Sequence, residues 1–322
     1  MIPSSHHFIK KTASLLGCCL LFLSFSSYAG DCDMLSAWKK LKASTPATLQ
    51  DRTDKSIRLY DLQMEISQQF YSEYMAGKTT NVFFSKCLAD ISEKDEWTSS
   101  FSQVFLRNSL LNLQAAPIPR LQKIMTELQA TQIGQGMTLF KAAPHFPGEE
   151  GAKKAGVYRG STSLFMNIDM IPAGEWNFLL VHELFHYLDP VIKKASLVWN
   201  SKETAAKIFE LGKIHETLET LSPVEKKMLR DFVQAGLDRG LLAEYRAWVL
   251  CFSIYEQGKK TGLWKTIPWM EEIIVNKSNN ESWESFTFNF LDSRFDDPDF
   301  TGIFSVRIMQ EQYHLLRNEL RN

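Results

Sequence analysis

The residues of this chain best suited to chemistry lie in one short stretch, Val181-His182-Glu183-Leu184-Phe185-His186-Tyr187. An α-helix turns once in about 3.6 residues, so it would place His182 and His186 one above the other on the same face. Two imidazole nitrogens on one face can bind a single cation, and neutral nitrogen donors suit Zn²⁺. Glu183 would lie at the edge of that site and could take a proton from a metal-bound water. The stretch therefore predicts a hydrolytic zinc site.

The apolar residues around this motif predict a buried helix from Trp176 to Leu188. A bare HExxH arises by chance in roughly one chain of this size in a hundred, but a chance match on a surface would have polar neighbours. The alternative is a core helix whose histidines are hydrogen-bonded to neighbouring groups. Burying two imidazoles and a carboxylate without a metal or partners would cost several kcal/mol, so the apolar setting favours a metal site.

Two histidines hold zinc weakly, and a catalytic zinc site commonly has three protein ligands. The best third ligand in the sequence is Glu244, which lies in an apolar helical pattern over residues 241–255. A buried carboxylate needs a partner charge or a metal, and the small side chain of Ala247 one turn later would let another helix approach closely. The sequence leaves four alternatives open, namely Glu203, Glu210, His215 and Glu219.

With this downstream glutamate the chain resembles the gluzincins, a group of zinc peptidases. The resemblance rests on HExxH at residues 182–186 and on Glu-x-x-Ala at residues 244–247, and it extends over residues 161–255. It implies a zincin-like catalytic core with a small sheet, and hydrolysis of peptide bonds. It also implies that Glu183 acts as general base and acid. The zinc ligands that it implies are His182, His186 and Glu244.

Two other catalytic patterns do not occur in the sequence. The metzincin pattern needs glycine and histidine at positions where this chain has Asp189 and Ile192. A Gly-x-Ser-x-Gly elbow for a serine nucleophile is also missing. The residue that would stabilise a tetrahedral oxyanion stays open among Tyr158, His215, Tyr245 and Arg246. Asp189 itself could end the metal-binding helix or accept a hydrogen bond from a ligand histidine.

The remaining pattern indicates an α+β fold that is predominantly α-helical. Residues 33–128 carry apolar side chains at helical spacing, and further helices are predicted over residues 202–212, 223–235, 241–255 and 304–320. For the helix over residues 223–235, Ser222 and Glu225 predict a capping box at the start, and Gly236 predicts the end. Alternation over residues 161–168 predicts a strand, whose outer edge could be free for an extended peptide or covered by a neighbour. Residues 144–159 have the proline, glycine and mixed charge of a loop. An irregular aromatic segment is predicted after Gly262.

We expect a signal peptide, a helical N-terminal subdomain and a zincin-like metallopeptidase domain. Their predicted ranges are residues 1–29, 30–143 and 144–322. In the first range Lys10 and Lys11 precede an apolar stretch, and a small-x-small pattern predicts cleavage after Ala29. The protein is therefore expected to be secreted or periplasmic. Lipid attachment at Cys18 is the less favoured alternative.

Three of the five cysteines would remain after cleavage of the signal peptide. In an oxidising compartment we expect Cys32 to pair with Cys87, which would stabilise the N-terminal part by about 4 kcal/mol on a loop-entropy argument. Cys251 lies in an apolar helical run and is expected to be a buried free thiol. The spacing of the cysteines matches neither a zinc knot nor a redox Cys-x-x-Cys pair.

The composition is that of an ordinary globular protein, with 44% hydrophobic residues, 23% charged residues and a formal net charge of -1. This balance gives no reason to expect a nucleic-acid partner, and no integral membrane segment is expected after signal cleavage. The expected partner is a peptide or protein substrate. The alternative is a catalytically inactive zincin scaffold that serves as an exported binding protein.

Overall fold

The computed structural model describes residues 33–77, 91–129, 140–143, 156–159, 163–168, 171–215, 217–293 and 307–321. This part of the chain is predominantly helical, which confirms the expected helical character. None of the described helices is long and apolar enough to cross a membrane. The helices are α1 (Asp33–Ala43), α2 (Leu49–Met75), α3 (Ile91–Ala115), α4 (Pro119–Gln129), α5 (Trp176–Leu188), α6 (Pro190–Trp199), α7 (Lys202–Ile214), α8 (Pro223–Arg239), α9 (Leu241–Lys260), α10 (Pro268–Ile274), α11 (Trp283–Asp292) and α12 (Arg307–Arg321).

Three short strands lie between α4 and α5, namely β1 (Phe140–Ala143), β2 (Gly156–Arg159) and β3 (Ser163–Asn167). The strand β3 is central and pairs in parallel with β1 and antiparallel with β2. Both edges of β3 are therefore covered, so of the two alternatives for its outer edge the structure supports the covered one and contradicts the one in which the edge is free for a peptide. The strand β2 falls inside the predicted loop 144–159. Four residues are too few to show a strand period, and pairing with β3 supplies the backbone hydrogen bonds.

The helix α8 begins with the predicted capping box. The hydroxyl of Ser222 accepts a hydrogen bond from the backbone of Glu225, whose carboxylate accepts one from the backbone of Ser222. The predicted stop at Gly236 is wrong, because this glycine is buried inside the helix. The helix continues to Arg239, and Gly240 ends it. A glycine inside a helix costs roughly 1 kcal/mol relative to alanine, which packing can offset.

The segment after Gly262 contains helices where an irregular chain was expected. The helix α10 has a proline at its first position, and α11 begins after Ser282, whose hydroxyl accepts a hydrogen bond from the backbone of Ser285. Both helices bury aromatic or sulfur-containing side chains, such as Phe286 and Met270, against the main core. The two helices are short, so their periodicity is weak in the sequence and tertiary packing stabilises them.

The main core joins the N-terminal helices to the HExxH helix α5. Trp176, the first residue of α5, is fully buried, and its ring lies 4.9 Å from Phe105 and 6.0 Å from Tyr74 between centroids. Its indole N–H donates to the hydroxyl of Ser109 at 2.8 Å. Burying a large apolar side chain stabilises a fold by roughly 1.5–3 kcal/mol. The N-terminal helices therefore hold the beginning of the helix that carries His182 and His186.

Several expectations fall outside the described residues. These are the signal peptide over residues 1–29, the alternative lipid site at Cys18, and the pairing of Cys32 with Cys87. The described residues of the proposed N-terminal subdomain share one hydrophobic core with α5 and α9. Cys251 is described, and it is a buried free thiol, as the sequence predicts.

Candidate metal centre

The helix α5 ends where the sequence predicts, at the junction with α6. Asp189 follows the last residue of α5 and precedes Pro190, the first residue of α6. The residue before a proline disfavours helical backbone angles, and Asp189 is extended. Its carboxylate accepts a hydrogen bond from the backbone of Val191 at 2.9 Å and so caps α6. This junction fixes the end of the helix one turn after the second histidine.

The two histidines of α5 face the same point. His182 and His186 are both buried, and their Nε2 atoms lie 3.0 Å apart. Their rings are nearly perpendicular, at 89° between planes. Two nitrogen atoms this close can share one cation or one proton, and neither ring can bury its Nε2 atom there without such a partner.

Glu244 lies beside both histidines, although it is far away in the sequence. It is carried by α9, which packs against α5. Its Oε2 atom is 3.3 Å from Nε2 of His182, and its Oε1 atom is 3.2 Å from Nε2 of His186. Ala247, one turn later, is fully buried, in keeping with the close approach of the two helices. Among the described residues, His182, His186 and Glu244 form the one group of at least three donors that could hold a metal ion.

The other candidates for a third ligand lie elsewhere. Glu203, Glu210 and Glu219 are exposed, and Glu210 contacts Lys207. His215 ends α7, and its Nδ1 atom is hydrogen-bonded to the hydroxyl of Thr220 at 2.9 Å. The structure therefore brings Glu244 to the histidines and none of its four alternatives.

The donor set fits Zn²⁺ in both chemistry and spacing. Two imidazole nitrogens and a carboxylate oxygen are a known ligand set for catalytic zinc. Ligands about 2.0–2.1 Å from a tetrahedral ion lie about 3.3–3.4 Å from one another. The two Nε2 atoms lie 3.0 Å apart, and each lies 3.2–3.3 Å from a different carboxylate oxygen of Glu244, which is close to that value. His182, His186 and Glu244 are thus already arranged as corners that one ion could join.

The electrostatics of the cluster favour a positive charge between its members. Burial raises the pKa of Glu244, but the charges and hydrogen bonds of His182 and His186 outweigh it, and the pKa lies well below the ordinary value. Burial lowers the pKa of His186, but the hydrogen bond and charge of Glu244 raise it above the ordinary value. In the absence of a metal, a proton shared among these groups supplies the positive charge that a divalent cation would otherwise supply.

Glu183 is the remaining residue of the motif that carries chemistry. It follows His182 on α5 and is partly buried. Burial raises its pKa, and the nearby charges of His182 and His186 reduce this rise without cancelling it. A carboxyl group with a raised pKa is a stronger base than an ordinary carboxylate and can return the proton that it accepts. This is the property required of a general base that later acts as an acid.

Trp248 belongs to the site, and sequence reasoning missed it. Its indole N–H donates to Oε2 of Glu244 at 3.1 Å, and its ring centroid lies 4.5 Å from that of His182. The spacing from Glu244 to Trp248 is one helical turn, so the two side chains share a face of α9. That spacing is the signal that could have identified Trp248.

Cys251 and Asp189 occupy the surroundings of the cluster. The sulfur of Cys251 lies 3.9 Å from Nδ1 of His182, and burial raises the pKa of this thiol well above its ordinary value.

Asp189 binds the guanidinium group of Arg246 through both carboxylate oxygens, at 2.5 and 3.2 Å. Nδ1 of His186 has no hydrogen-bond partner and Nδ1 of His182 faces Cys251, so Asp189 marks the end of the helix, and the alternative in which it accepts a hydrogen bond from a histidine is contradicted.

The structure does not assign an oxyanion donor. Arg246 binds Asp189, and His215 binds Thr220. Burial, followed by the charge of Glu284, raises the pKa of the Tyr245 phenol. Among the described side chains, no hydrogen bond joins any of these three candidates to the histidines or to Glu244. The side chain of the fourth candidate, Tyr158, lies outside the described part of the chain.

Comparison of the chain with protein-family models, with curated proteins and with solved structures found no match. The interpretation of the site therefore depends on its own residues and their geometry.

Proposed function

We propose that this chain is an exported zinc-dependent metallopeptidase of the gluzincin type. The observation that carries the proposal is the convergence of His182, His186 and Glu244, with their nearest donor atoms 3.0–3.3 Å apart. The histidines come from the HExxH helix and the glutamate from a second helix, as the gluzincin resemblance implies. Glu183 stands next to the first histidine with a raised pKa. These four residues are those that the peptidase chemistry requires.

Different residues would carry out different parts of the proposed reaction. When bound, Zn²⁺ supplies Lewis-acid chemistry, polarising a carbonyl group and lowering the pKa of a water molecule. Glu183 accepts the proton of the attacking water at its carboxylate oxygen and then donates it to the leaving amine nitrogen. His182, His186 and Glu244 hold the centre in place, and the apolar side chains around α5 keep bulk water away from the back of the site.

The proposed site lies in the C-terminal domain of an exported protein. We place the α+β zincin-like core, with its small sheet, in residues 144–322, after a helical subdomain over residues 30–143. The signal peptide over residues 1–29 would make the protein secreted or periplasmic. The strand β3 precedes α5 in the chain, and both β2 and β3 contact α5, so the sheet packs against the helix that carries the histidines. A peptide or protein is the proposed substrate.

The test replaces Glu183 with glutamine. Zinc bound to the purified protein is measured by elemental analysis, and hydrolysis is measured with a fluorescently labelled unfolded protein. We expect about one zinc per chain in both proteins and hydrolysis only in the wild type, because the amide cannot accept the proton. Glu203→Gln, on the exposed face of α7, is the matched control and should hydrolyse like the wild type.

Two outcomes would contradict the proposal. Equal hydrolysis by wild type and Glu183→Gln would remove Glu183 from the mechanism. Folded wild-type protein without bound zinc would favour the second candidate function, an inactive zincin scaffold that acts as a binding protein. The observation that favours this second function is that no oxyanion donor contacts the cluster among the described residues.

A further inference from the structure

We propose that Trp248 is a positioning residue that holds Glu244 in the orientation needed to bind the metal. This inference rests on the proposed zinc site and extends it to a residue beyond the three ligands. The indole N–H of Trp248 donates to Oε2 of Glu244 at 3.1 Å. The same oxygen is the one nearest to His182, at 3.3 Å. The hydrogen bond from Trp248 therefore holds the carboxylate oxygen of Glu244 that lies nearest to His182.

Glu244 needs an external restraint because its side chain is not enclosed. About a third of the side chain is exposed, 36%, compared with 6% and 7% for the side chains of His182 and His186. A glutamate side chain has several rotatable bonds and loses up to roughly 2 kcal/mol of rotamer freedom when it is fixed. Rotation of this partly exposed side chain would carry the carboxylate away from the histidines. The bond from Trp248 opposes that rotation and so reduces the cost of binding an ion.

Trp248 can restrain Glu244 because its own ring is held by other aromatic side chains. Its centroid lies 5.5 Å from Phe252, 5.9 Å from Trp269 and 6.4 Å from Phe290. The ring also packs on His182 at 4.5 Å. Trp248 thus contacts two of the proposed ligands, Glu244 and His182. The aromatic residues that hold its ring are not themselves proposed ligands. Groups that hydrogen-bond to metal ligands typically change metal affinity by about 10–100-fold.

The chain offers a matched control for this bond. Trp269 also donates its indole N–H to a carboxylate, at 2.9 Å to Oε2 of Glu175. It is partly buried like Trp248 and belongs to the same aromatic cluster. Glu175 precedes α5 and is not one of the proposed ligands. Trp248→Phe and Trp269→Phe therefore remove the same kind of bond and the same ring area, but only the first touches a ligand.

The experiment measures zinc affinity by competition with a chromophoric chelator, with every substitution made in full-length Glu183→Gln protein. In this background zinc binding is read without hydrolysis, so loss of peptidase activity cannot imitate loss of binding. We expect Trp248→Phe to weaken zinc binding about 10-fold and Trp269→Phe to leave it within about 2-fold. The change in tryptophan emission on adding zinc should be lost in Trp248→Phe and kept in Trp269→Phe. Thermal unfolding of each variant reports general destabilisation separately.

Three outcomes would overturn the inference, and failure of the first variant to fold is met by a second variant. If Trp248→Phe binds zinc as tightly as its parent, the bond does not position the ligand. If both variants weaken binding equally, the effect comes from packing of the aromatic cluster. If Trp248→Phe does not fold, Trp248→Tyr, which keeps a ring without a donor at the indole position, is tested in the same way. A parent protein that binds no zinc would remove the proposed metal site together with this role.

Discussion

Arg246 binds Asp189 through two hydrogen bonds, from Nε to Oδ2 at 2.5 Å and from Nη2 to Oδ1 at 3.2 Å. Asp189 lies three residues after His186, and Arg246 lies two residues after Glu244. The pair therefore joins the end of the histidine helix to the helix of the third proposed ligand, close to the point where those ligands meet. The carboxylate of Asp189 is fully buried, whereas 42% of the Arg246 side chain is exposed.

Arg246→Met should destabilise the protein because it leaves a buried carboxylate without its partner charge. Breaking a buried ion pair costs about 3–5 kcal/mol of stability, and the exposure of Arg246 reduces this cost. We therefore expect Arg246→Met to lower the free energy of unfolding by about 2 kcal/mol. Lys227→Met is the control, because Lys227 and Asp231, 2.6 Å apart, are both exposed. Losing this pair should lower the free energy of unfolding by less than about 0.5 kcal/mol. Urea unfolding measures both changes. Equal midpoints for the two variants would show that the Asp189 pair adds no stability.

Zinc affinity should fall steeply in mild acid, at a higher pH than an ordinary histidine would require. Burial lowers the pKa of His186, but the hydrogen bond and charge of Glu244 raise it above 6.5. In the metal-free protein, protonated His186 therefore contributes stability at pH values below 6.5, and this contribution is lost as the pH rises through the raised pKa. Zinc needs the deprotonated ring, so the proton and the metal compete.

The competition is measured by zinc titrations between about pH 5.5 and 8.5, using buffers that do not bind zinc. We expect the fall in affinity to be centred above pH 6.5, with protons released on binding in this range. His215→Ala is the control and should not move the profile, because His215 binds Thr220. A profile centred below pH 6.5 would show that Glu244 does not raise the pKa of His186.

The sequence predicts all three candidate metal ligands, but from different kinds of pattern. The helical period alone places His182 and His186 on one face, and an acidic residue in an apolar helix identified Glu244. The orientation of α9 against α5 is a tertiary property, so the sequence favours Glu244 but does not exclude its four alternatives. Trp248 was missed for the same reason, since its hydrogen bond has meaning only after Glu244 is placed.

The limits of the fold prediction have similar causes. The long helices α2, α3 and α9 show several turns of apolar spacing, and all three were anticipated. The short elements β2, α10 and α11 were not, because four to ten residues carry too little periodicity. Gly236 was mistaken for a helix end because glycine is common there, whereas in this protein it lies buried within α8.

Cys251 should resist alkylation in the folded protein. The residue is fully buried, and burial, followed by the charges of Glu244 and Glu183, raises the pKa of its thiol well above 9.0. The reactive form is the thiolate, so both access and ionisation are suppressed. We expect iodoacetamide to label Cys251 only after unfolding in urea, as measured by mass spectrometry of its peptide. Equal rates of labelling in native buffer and in urea would show that the helix α9 opens readily at this position.

Gly258→Ala should destabilise the protein because there is no room for a methyl group. A Cβ atom at Gly258 would lie 1.9 Å from Cζ2 of Trp264, a ring that is buried and held by a hydrogen bond to the backbone of Tyr255 at 2.9 Å. Overpacking typically costs about 1–3 kcal/mol, which exceeds the roughly 1 kcal/mol that alanine gains over glycine in a helix. We therefore expect Gly258→Ala to lower the free energy of unfolding by about 1–2 kcal/mol in urea unfolding, since an overlap this short lies towards the costly end of that range.

Two further variants separate this overlap from a general effect of substitution in α9. Gln257→Ala changes the exposed neighbouring residue and should alter stability by less than about 0.5 kcal/mol. In a Trp264→Leu background the ring atoms that meet the new methyl group are gone, so adding Gly258→Ala should cost far less than it does in the wild type. If Gly258→Ala costs the same with tryptophan and with leucine at position 264, the contact between Gly258 and the indole ring is not what excludes a side chain there.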